Sequence, residues 1–470
     1  MKRQTRKKED VKSFPEPKKL SSLIGPSFLI LATGIGSGEI ILWPYLASHY
    51  GLGLAWLAVI GITFQYFINM EIERYSLVKG ESVFVGLGRI SRFITFWLIL
   101  STFFTFAIPG TASASAQLIS NGLGFENFRL IGIFFLLLIG FITSFGKTVY
   151  NTLENFMKYG LIVLFILILA FVIYVSSTSD WIALGNGLIG IGEGYKFIPP
   201  GVALLALLGA FAYSGSGGNL NLAQSSYVQE KGYGMGVYAP KIKGLIRKKT
   251  LKEDKKETLT GNFFEATPRN IRNFKIWWRR ISLEHLIVFW FFGLFMMLLF
   301  MLLAYVTIYG NVSEEGIQFA INQGIAIGQT FFPWLGSAFL ILIGVFLFQS
   351  QLGIYDSASR IIAENYAVWN INKTAKKVDL SKFYHLIIWG QIILGILFFS
   401  FGFYEPKTLI ITSAVLNSFG MFLHIGFVNY MNHKTLRKEF QAPLWRKILM
   451  LLIFLVFGTF FFITMGSYLF

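Results

Sequence analysis

Apolar runs of about 20 residues, the length a helix needs to cross a bilayer core, recur along this chain from Leu23 to Phe470. The pattern delimits about eleven spans, at 22–48, 53–76, 93–120, 129–147, 149–176, 197–228, 283–309, 331–361, 384–404, 408–431 and 446–470. It predicts an all-α integral membrane protein. Two spans are broken. The first carries "ATGIGSGEIILWP" (Ala32 to Pro44) and the sixth "AYSGSGGNLNLAQ" (Ala212 to Gln224), each with a Gly-Ser-Gly at its centre. A glycine inside a helix costs about 1 kcal/mol relative to alanine, and a cluster favours local unwinding. Unwound backbone exposes N–H and C=O groups that hydrocarbon does not tolerate unless they line an enclosed polar cavity.

Corresponding interruptions in two halves of a membrane chain point to the midplane site of a transporter built from inverted repeats. Spans 1–5 and 6–10 then form a LeuT-like pair with unwound helices 1 and 6, and span 11 is an addition. The domain reading is a basic tail at 1–20 and one transmembrane domain at 21–470. Within it lie repeat one at 21–176, repeat two at 197–431, an extra helix at 446–470 and a polar insert at 237–281. Half-helix N-termini favour anions, and freed carbonyls favour cations. Glu39 stands out, because a charge at the centre of a membrane helix costs about 2.5 to 3.5 kcal/mol on insertion scales. The competing reading is structural: glycines for close helix packing, and Glu39 as an ion-pair partner or a half-helix cap.

Charge sets the topology. Hydrophobic residues make up 54% of the chain and the formal net charge is +17, but Lys and Arg crowd the tail and then alternate loops, at 237–281 and 432–447, while the loop at 310–330 carries Glu314 and Glu315. By the positive-inside rule the N-terminus is cytoplasmic and, after an odd number of crossings, the C-terminus is outside, in a plasma (inner) membrane. The distribution argues for lipid as the partner of the basic charge and against nucleic acid. The first 20 residues lack the apolar core and cleavage site of a secretory signal. With no cysteine, disulfides, thiol catalysis and thiolate metal sites are excluded. No phosphate-binding Gly-Lys-Ser/Thr loop or hydrolytic triad is legible, so neither an enzyme nor an ATP-driven pump is expected. No resident cofactor is expected.

Four stretches carry a resemblance: "GPSFLILATGIGSGEI", "GGNLNLAQSSYVQ", "YNTLENFMKYG" and "FQSQLGIYDSASR". Together they resemble the first, sixth, fifth and eighth helices of the NRAMP (natural resistance-associated macrophage protein) family of divalent-metal transporters, in a divergent form. The resemblance implies a secondary transporter moving a small cation of Mn²⁺ or Mg²⁺ type by alternating access. Carried over by position, the family's metal-binding Asp falls on Gly36, its Pro on Ser37, its Gly on Gly38 and its Asn on Glu39. In the sixth helix its metal-binding Met falls on Ser216, its Pro on Gly217, its His on Gly218 and its Asn on Asn219. The polar ligand of the tenth helix falls on Asn417 or Ser418. Loss of the thioether shifts the site toward harder ions, with Glu39 and Ser216 as metal ligands and Gly36, Ser37, Gly38, Ser214, Gly217, Asn219, Asn417 and Ser418 completing the substrate site. The third span, where the family runs a proton path, has neither an acid nor a His. Either Glu39 carries the proton itself or the chain is a facilitator.

Outside these breaks, Glu154 is a candidate for an inner gate, with Lys158 at i, i+4 as the interfacial alternative. Gln349 and Gln351 either line the cavity or bond a neighbouring helix. Asp356 and Arg360 read as a structural pair, Glu71, Glu73 and Arg74 as a solvated face, and His424 as core. Trp277 and Trp278, at the end of the insert, are expected at the lipid headgroups. The rival substrate is an amino acid or other small zwitterion, its carboxylate held by N–H groups of the breaks and its amine facing Glu39. A receptor or scaffold that transports nothing would need only the fold.

Overall fold

The structure, a computed structural model, describes residues 12–36, 38–145, 148–202, 204–245, 259–310, 316–374, 379–402 and 406–469, with the side chains at 371–374, 406–416, 418 and 467–469 left outside that set. Ser37 and the Ser418 side chain, both candidates above, lie outside the described residues. Every long element is helical. In order these are α1 (Pro26–Gly34), α2 (Trp43–Tyr50), α3 (Ala55–Lys79), α4 (Val83–Ile90), α5 (Arg92–Phe106), α6 (Gly110–Leu123), α7 (Phe128–Ser144), α8 (Val149–Val175), α9 (Thr178–Leu188), α10 (Leu204–Ala212), α11 (Gln224–Lys231), α12 (Pro268–His285), α13 (Gly293–Ile308), α14 (Ile317–Thr330), α15 (Pro333–Thr374), α16 (Leu380–Phe401), α17 (Pro406–Thr435) and α18 (Leu444–Leu469).

Among the described residues, seven helical units are long and apolar enough to cross a membrane, and the bent pair Pro26–Gly34 and Gly38–Tyr50, turned by 50°, adds an eighth. The other expected spans miss that criterion for physical reasons. The fourth is the 17-residue α7, the sixth is divided by its break into α10 and α11, and the tenth lies within α17, whose side chains are only partly described. Apolar side chains such as Phe104, Phe134, Ile166, Leu397 and Leu455 stand exposed on the outer surface. Exposure on that scale is unfavourable in water and natural in lipid.

Helix ends follow local chemistry. Pro26 occupies the first position of α1, where its missing N–H costs nothing. Thr148 caps α8 by accepting from the Asn151 N–H, and Asp379 caps α16 by accepting from Lys382 at 3.1 Å. The long α15 is the spine of the bundle, packed against α1, α5, α6 and α16. Consequently the first and third spans meet across it.

Two expectations are corrected at the face that gathers the basic segments. The end of the insert does not present both tryptophans outward. The helix starting at Pro268 continues through a π-helical stretch, Leu286–Phe292, into α13, as one unit of 41 residues. Trp277 is fully buried and its indole N–H donates to the Pro15 carbonyl at 3.0 Å, while Trp278 stacks under the Arg74 guanidinium. These rings bind the chain's own N-terminal segment: Phe14 is buried against Phe264 and Phe274, and Arg280 donates to the Pro17 and Lys18 carbonyls. Residues 246–258 of the insert lie outside the described residues. Second, Glu71, Glu73 and Arg74 are not solvated but buried, because α12 and α18 cover that end of α3. Arg74 and Arg446 both donate to the Glu71 carboxylate.

Candidate functional site

The two Gly-Ser-Gly breaks meet. A Cβ on Gly34 would stand 2.7 Å from the backbone of Gly215 and Ser216, so the first and sixth spans touch main chain to main chain. The sixth unwinds sharply: Gly215, Gly217 and Gly218 all have positive φ, at 133°, 63° and 56°, which L side chains adopt with strain. At Gly218 a Cβ would also lie 1.9 Å from Asn417 Oδ1. Only glycine fits.

Glu39 holds the junction. It is 2% exposed, accepts from the Gly215 N–H at 2.6 Å and accepts a longer bond from the Gly36 N–H at 3.3 Å. One carboxyl group therefore satisfies a donor in each break. Ser216 donates to Asn221, whose amide donates to Gln65 at 2.6 Å. Gln65 in turn donates to the Ala212 carbonyl, capping the end of α10. Ser214 accepts from the Trp43 indole and donates to Ala210 O. Asn417 donates to the Tyr213 hydroxyl at 2.6 Å, and Asn219 donates to Ser101 and Thr102, with its Oδ1 left unpartnered among the described residues.

Beside the junction lies a cavity of about 50 Å³, lined by Thr33, Gly34 and Gly36 from the first break, Tyr213, Ser216 and Leu220 from the sixth, and Ser350, Gln351 and Ile354 from α15. Its remaining wall is a third interruption, where α5 ends at Phe106 and α6 begins at Gly110, contributing Thr105, Ile108 and Thr111. The volume suits a few waters or a small ion with part of its hydration shell. Its lining is neutral and mixed, with hydroxyls and the Gln351 amide beside the apolar Phe106, Ile108, Leu220 and Ile354, and no three His, Asp or Glu side chains among the described residues are arranged to hold a metal.

Of the sequence candidates, Gly36 and Ser216 line the cavity. Gly38, Glu39, Ser214, Gly217, Asn219 and Asn417 build the junction around it. Gln351 both lines the cavity and caps the third break, accepting from the Ala112 N–H at 3.0 Å. Gln349 instead bonds the α8 carbonyls Phe156 and Met157. Glu154 does not pair with Lys158, which lies over Tyr159. It turns inward and pairs with Lys231 at 2.5 Å. Asp356 and Arg360 are the expected pair at 2.8 Å, extended by Glu230. The sequence reading missed the third break, although "AIPG" at Ala107–Gly110 signals it, and it missed Thr33, Thr105, Thr111, Gln65 and Ser350, which carry no pattern of their own.

A layer of buried ionic groups separates the cavity from the basic face. Ser27 lies six residues before Thr33 on α1 and Asp356 six residues after Ser350 on α15, each about 9 Å along its helix. Tyr227 and Tyr384 donate to the two oxygens of Asp356 at 2.7 and 2.6 Å.

No family model and no curated protein matches this sequence. Solved structures do. The chain is similar to the Eremococcus coleocola manganese transporter: against a histidine-to-alanine mutant, TM-score 0.66 and 14% identity over 98% of this chain and 90% of that one. Against the same transporter in complex with an aromatic bis-isothiourea substituted compound, all four figures are the same. It is also similar to MHP1, a nucleobase-cation-symport-1 family transporter in a closed conformation with bromovinylhydantoin bound, at TM-score 0.55 and 12% identity over 95% of this chain and 91% of that one. At such identities the likeness is one of fold, and it runs nearly end to end.

Proposed function

We propose that the chain is a secondary transporter, not an enzyme, which moves a small cation by alternating access, with a divalent ion of Mn²⁺ or Mg²⁺ type as cargo. The observation that carries this reading is the small neutral cavity, carrying hydroxyl and amide groups, between three interrupted helices and α15, in a fold shared over almost its whole length with a manganese transporter. The finer architecture proposed is eleven spans with an inverted repeat, helices 1–5 against 6–10, and the basic face in the cytoplasm. Freed carbonyls and hydroxyls replace part of the ion's water shell. Glu39 supplies the negative charge from behind the cavity wall, which holds the two breaks in register. Ser216 is the oxygen ligand that takes the place of a softer donor.

The zwitterion reading is weaker. It needs free N–H groups to grip a carboxylate, and the Gly215 N–H is already taken by Glu39.

The test is uptake into proteoliposomes of purified protein, comparing Mn²⁺, Mg²⁺, Ca²⁺ and a panel of amino acids, alongside thermal shift for the same ligands, since a ligand that prefers the folded state stabilises it. Uptake of Mn²⁺ or Mg²⁺ that is lost in Ser216→Ala is the expected result. Uptake of an amino acid alone, or of nothing, would overturn the cation reading.

A further inference from the structure

Ser27, Glu73, Glu284 and His285 form a hydrogen-bonded cluster in the layer below the cavity, and the cation site does not use it. All four side chains are buried. Ser27 Oγ donates to Glu284 Oε2 at 2.5 Å and lies 2.7 Å from His285 Nδ1. With the hydroxyl donating to Glu284, the matching tautomer of the imidazole has its proton on Nδ1, donating to Ser27. The same Nδ1 lies 3.4 Å from Glu73 Oε1, which also accepts from the Gln224 amide at 2.7 Å. Phe289 stacks flat on the ring at 4.7 Å and Tyr66 covers it at 5.5 Å, which keeps water away.

Charge in this cluster does not balance without a proton. The groups facing it are Glu154 and Tyr150 from α8, Lys231 from α11, Tyr233 just beyond, Tyr66, Glu71 and Arg74 from α3, and Arg446 from α18. The cations among them are already engaged: Lys231 on Glu154, and both Arg74 and Arg446 on Glu71. Among the described residues, His285 reaches Glu73 directly and Glu284 through Ser27. Two carboxylates sharing one dry site do not both stay ionised unless a proton is held between them or on one of them. Two positions are vacant for it: Glu73 Oε2 and His285 Nε2 have no hydrogen-bond partner among the described residues. The donors are not arranged for a metal.

We propose that Glu73 and His285 form a proton-binding pair, a second site distinct from the cation cavity, whose occupancy is transmitted to the broken first helix through Ser27. The proton rests on Glu73, giving a neutral acid beside neutral imidazole, with His285 Nε2 the second position open to it. Glu284 accepts from Ser27 and, at 3.4 Å, from the Gly25 N–H, both at the start of α1. That helix ends at the cavity wall in Thr33 and Gly34. Loss of the proton leaves Glu73 ionised beside a neutral ring and loosens the His285 to Ser27 link. Proton binding as such is independent of the transport reading, whereas its coupling to cation movement rests on it.

The test is infrared difference spectroscopy of the full-length protein titrated from about pH 5 to about pH 9, followed by Mn²⁺ uptake into liposomes holding a pH dye. The expected result is a protonated-carboxyl C=O band that disappears on titration, is absent from Glu73→Gln, titrates at a different pH in His285→Asn and is unchanged in the surface control Glu16→Gln. Asn keeps a donor where Nδ1 stands and removes the second protonation position, so it covers the case in which Glu73→Gln fails to fold. In uptake, wild-type Mn²⁺ entry rises several-fold with an inward proton gradient and acidifies the lumen, and Glu73→Gln loses both effects. A titrating band that persists unaltered in both variants, or no such band in the wild type, overturns the proton site. A wild type that shows the Glu73 band but moves no Mn²⁺ overturns the cation reading while supporting the proton site.

Discussion

The Glu39 carboxylate and the Gly215 backbone N–H, 176 positions apart in the chain, meet at 2.6 Å and clip the two broken helices together. The sequence posed Glu39 as ligand or cap. Its geometry makes it a cap shared by both breaks, with its charge held just behind the cavity wall.

Replacing Glu39 separates these roles. Gln retains a carbonyl for the Gly215 N–H, so Glu39→Gln should cost about 1 kcal/mol of stability. Ala leaves the donors of Gly215 and Gly36 unsatisfied in a dry junction, at about 1–3 kcal/mol each. Thermal unfolding followed by tryptophan fluorescence should rank wild type, Gln and Ala in that order, and equal midpoints for Gln and Ala would refute the clip. Cation uptake should fall at least tenfold in Gln despite its near-normal midpoint, because the carboxyl behind the cavity wall can no longer ionise for the cation.

Gly218→Ala should be among the most damaging single-methyl changes in the chain. The residue combines φ of 56° with a Cβ position 1.9 Å from Asn417 Oδ1. Backbone strain of about 1–3 kcal/mol adds to a clash that pushes Asn417 off the Tyr213 hydroxyl. Gly185→Ala, where a Cβ meets nothing within 4 Å on α9, is the control and should leave the unfolding midpoint within a degree or two of wild type by propensity alone.

The absence of cysteine allows direct tests of the cavity. Thr111→Cys and Ser350→Cys should react with a small thiol reagent in membranes and be protected by Mn²⁺, since both positions line the cavity. Leu299→Cys, in the dry core of α13, should not react. Labelling of Thr111→Cys that Mn²⁺ leaves untouched would place the ion elsewhere.

The all-helical, multi-pass character and the broken first helix were legible because both rest on local chemistry: lengths of apolar sequence, and glycine runs that a membrane helix tolerates only at a cavity. The partners were not. Glu71, Glu73 and Arg74 look like a solvated helix end until Arg446, on the last helix, reaches the Glu71 carboxylate. Glu154 and Lys158 satisfy the helical spacing rule, yet Glu154 finds Lys231 because its side faces the bundle. Trp277 has the composition of a headgroup anchor and is fully buried because the N-terminal segment folds over it. In each case a local pattern competes with a long-range contact that one sequence does not encode visibly. The third break was legible in principle, since Pro109 denies an N–H to the helix interior, but it lacked the glycine cluster that marked the other two.

The layer between the cavity and the basic face yields the last prediction. Arg360 is fully buried between Asp356 and Glu230, and Tyr227 and Tyr384 complete the shell of Asp356. Arg360→Ala would strand two carboxylates away from water, at about 3–5 kcal/mol, so it should express poorly whatever the role of the layer. Lys231→Ala is the more informative change, because Lys231 itself is partly exposed and its removal leaves one carboxylate unpaired rather than two, a smaller loss than at Arg360. If the layer is a gate, unlocking this pair favours the conformation open to the basic face. In inside-out vesicles, a membrane-impermeant reagent should then modify Thr111→Cys several-fold faster in the Lys231→Ala background than in Thr111→Cys alone. Equal rates with equal unfolding midpoints would make the pair an interfacial contact with no gating role.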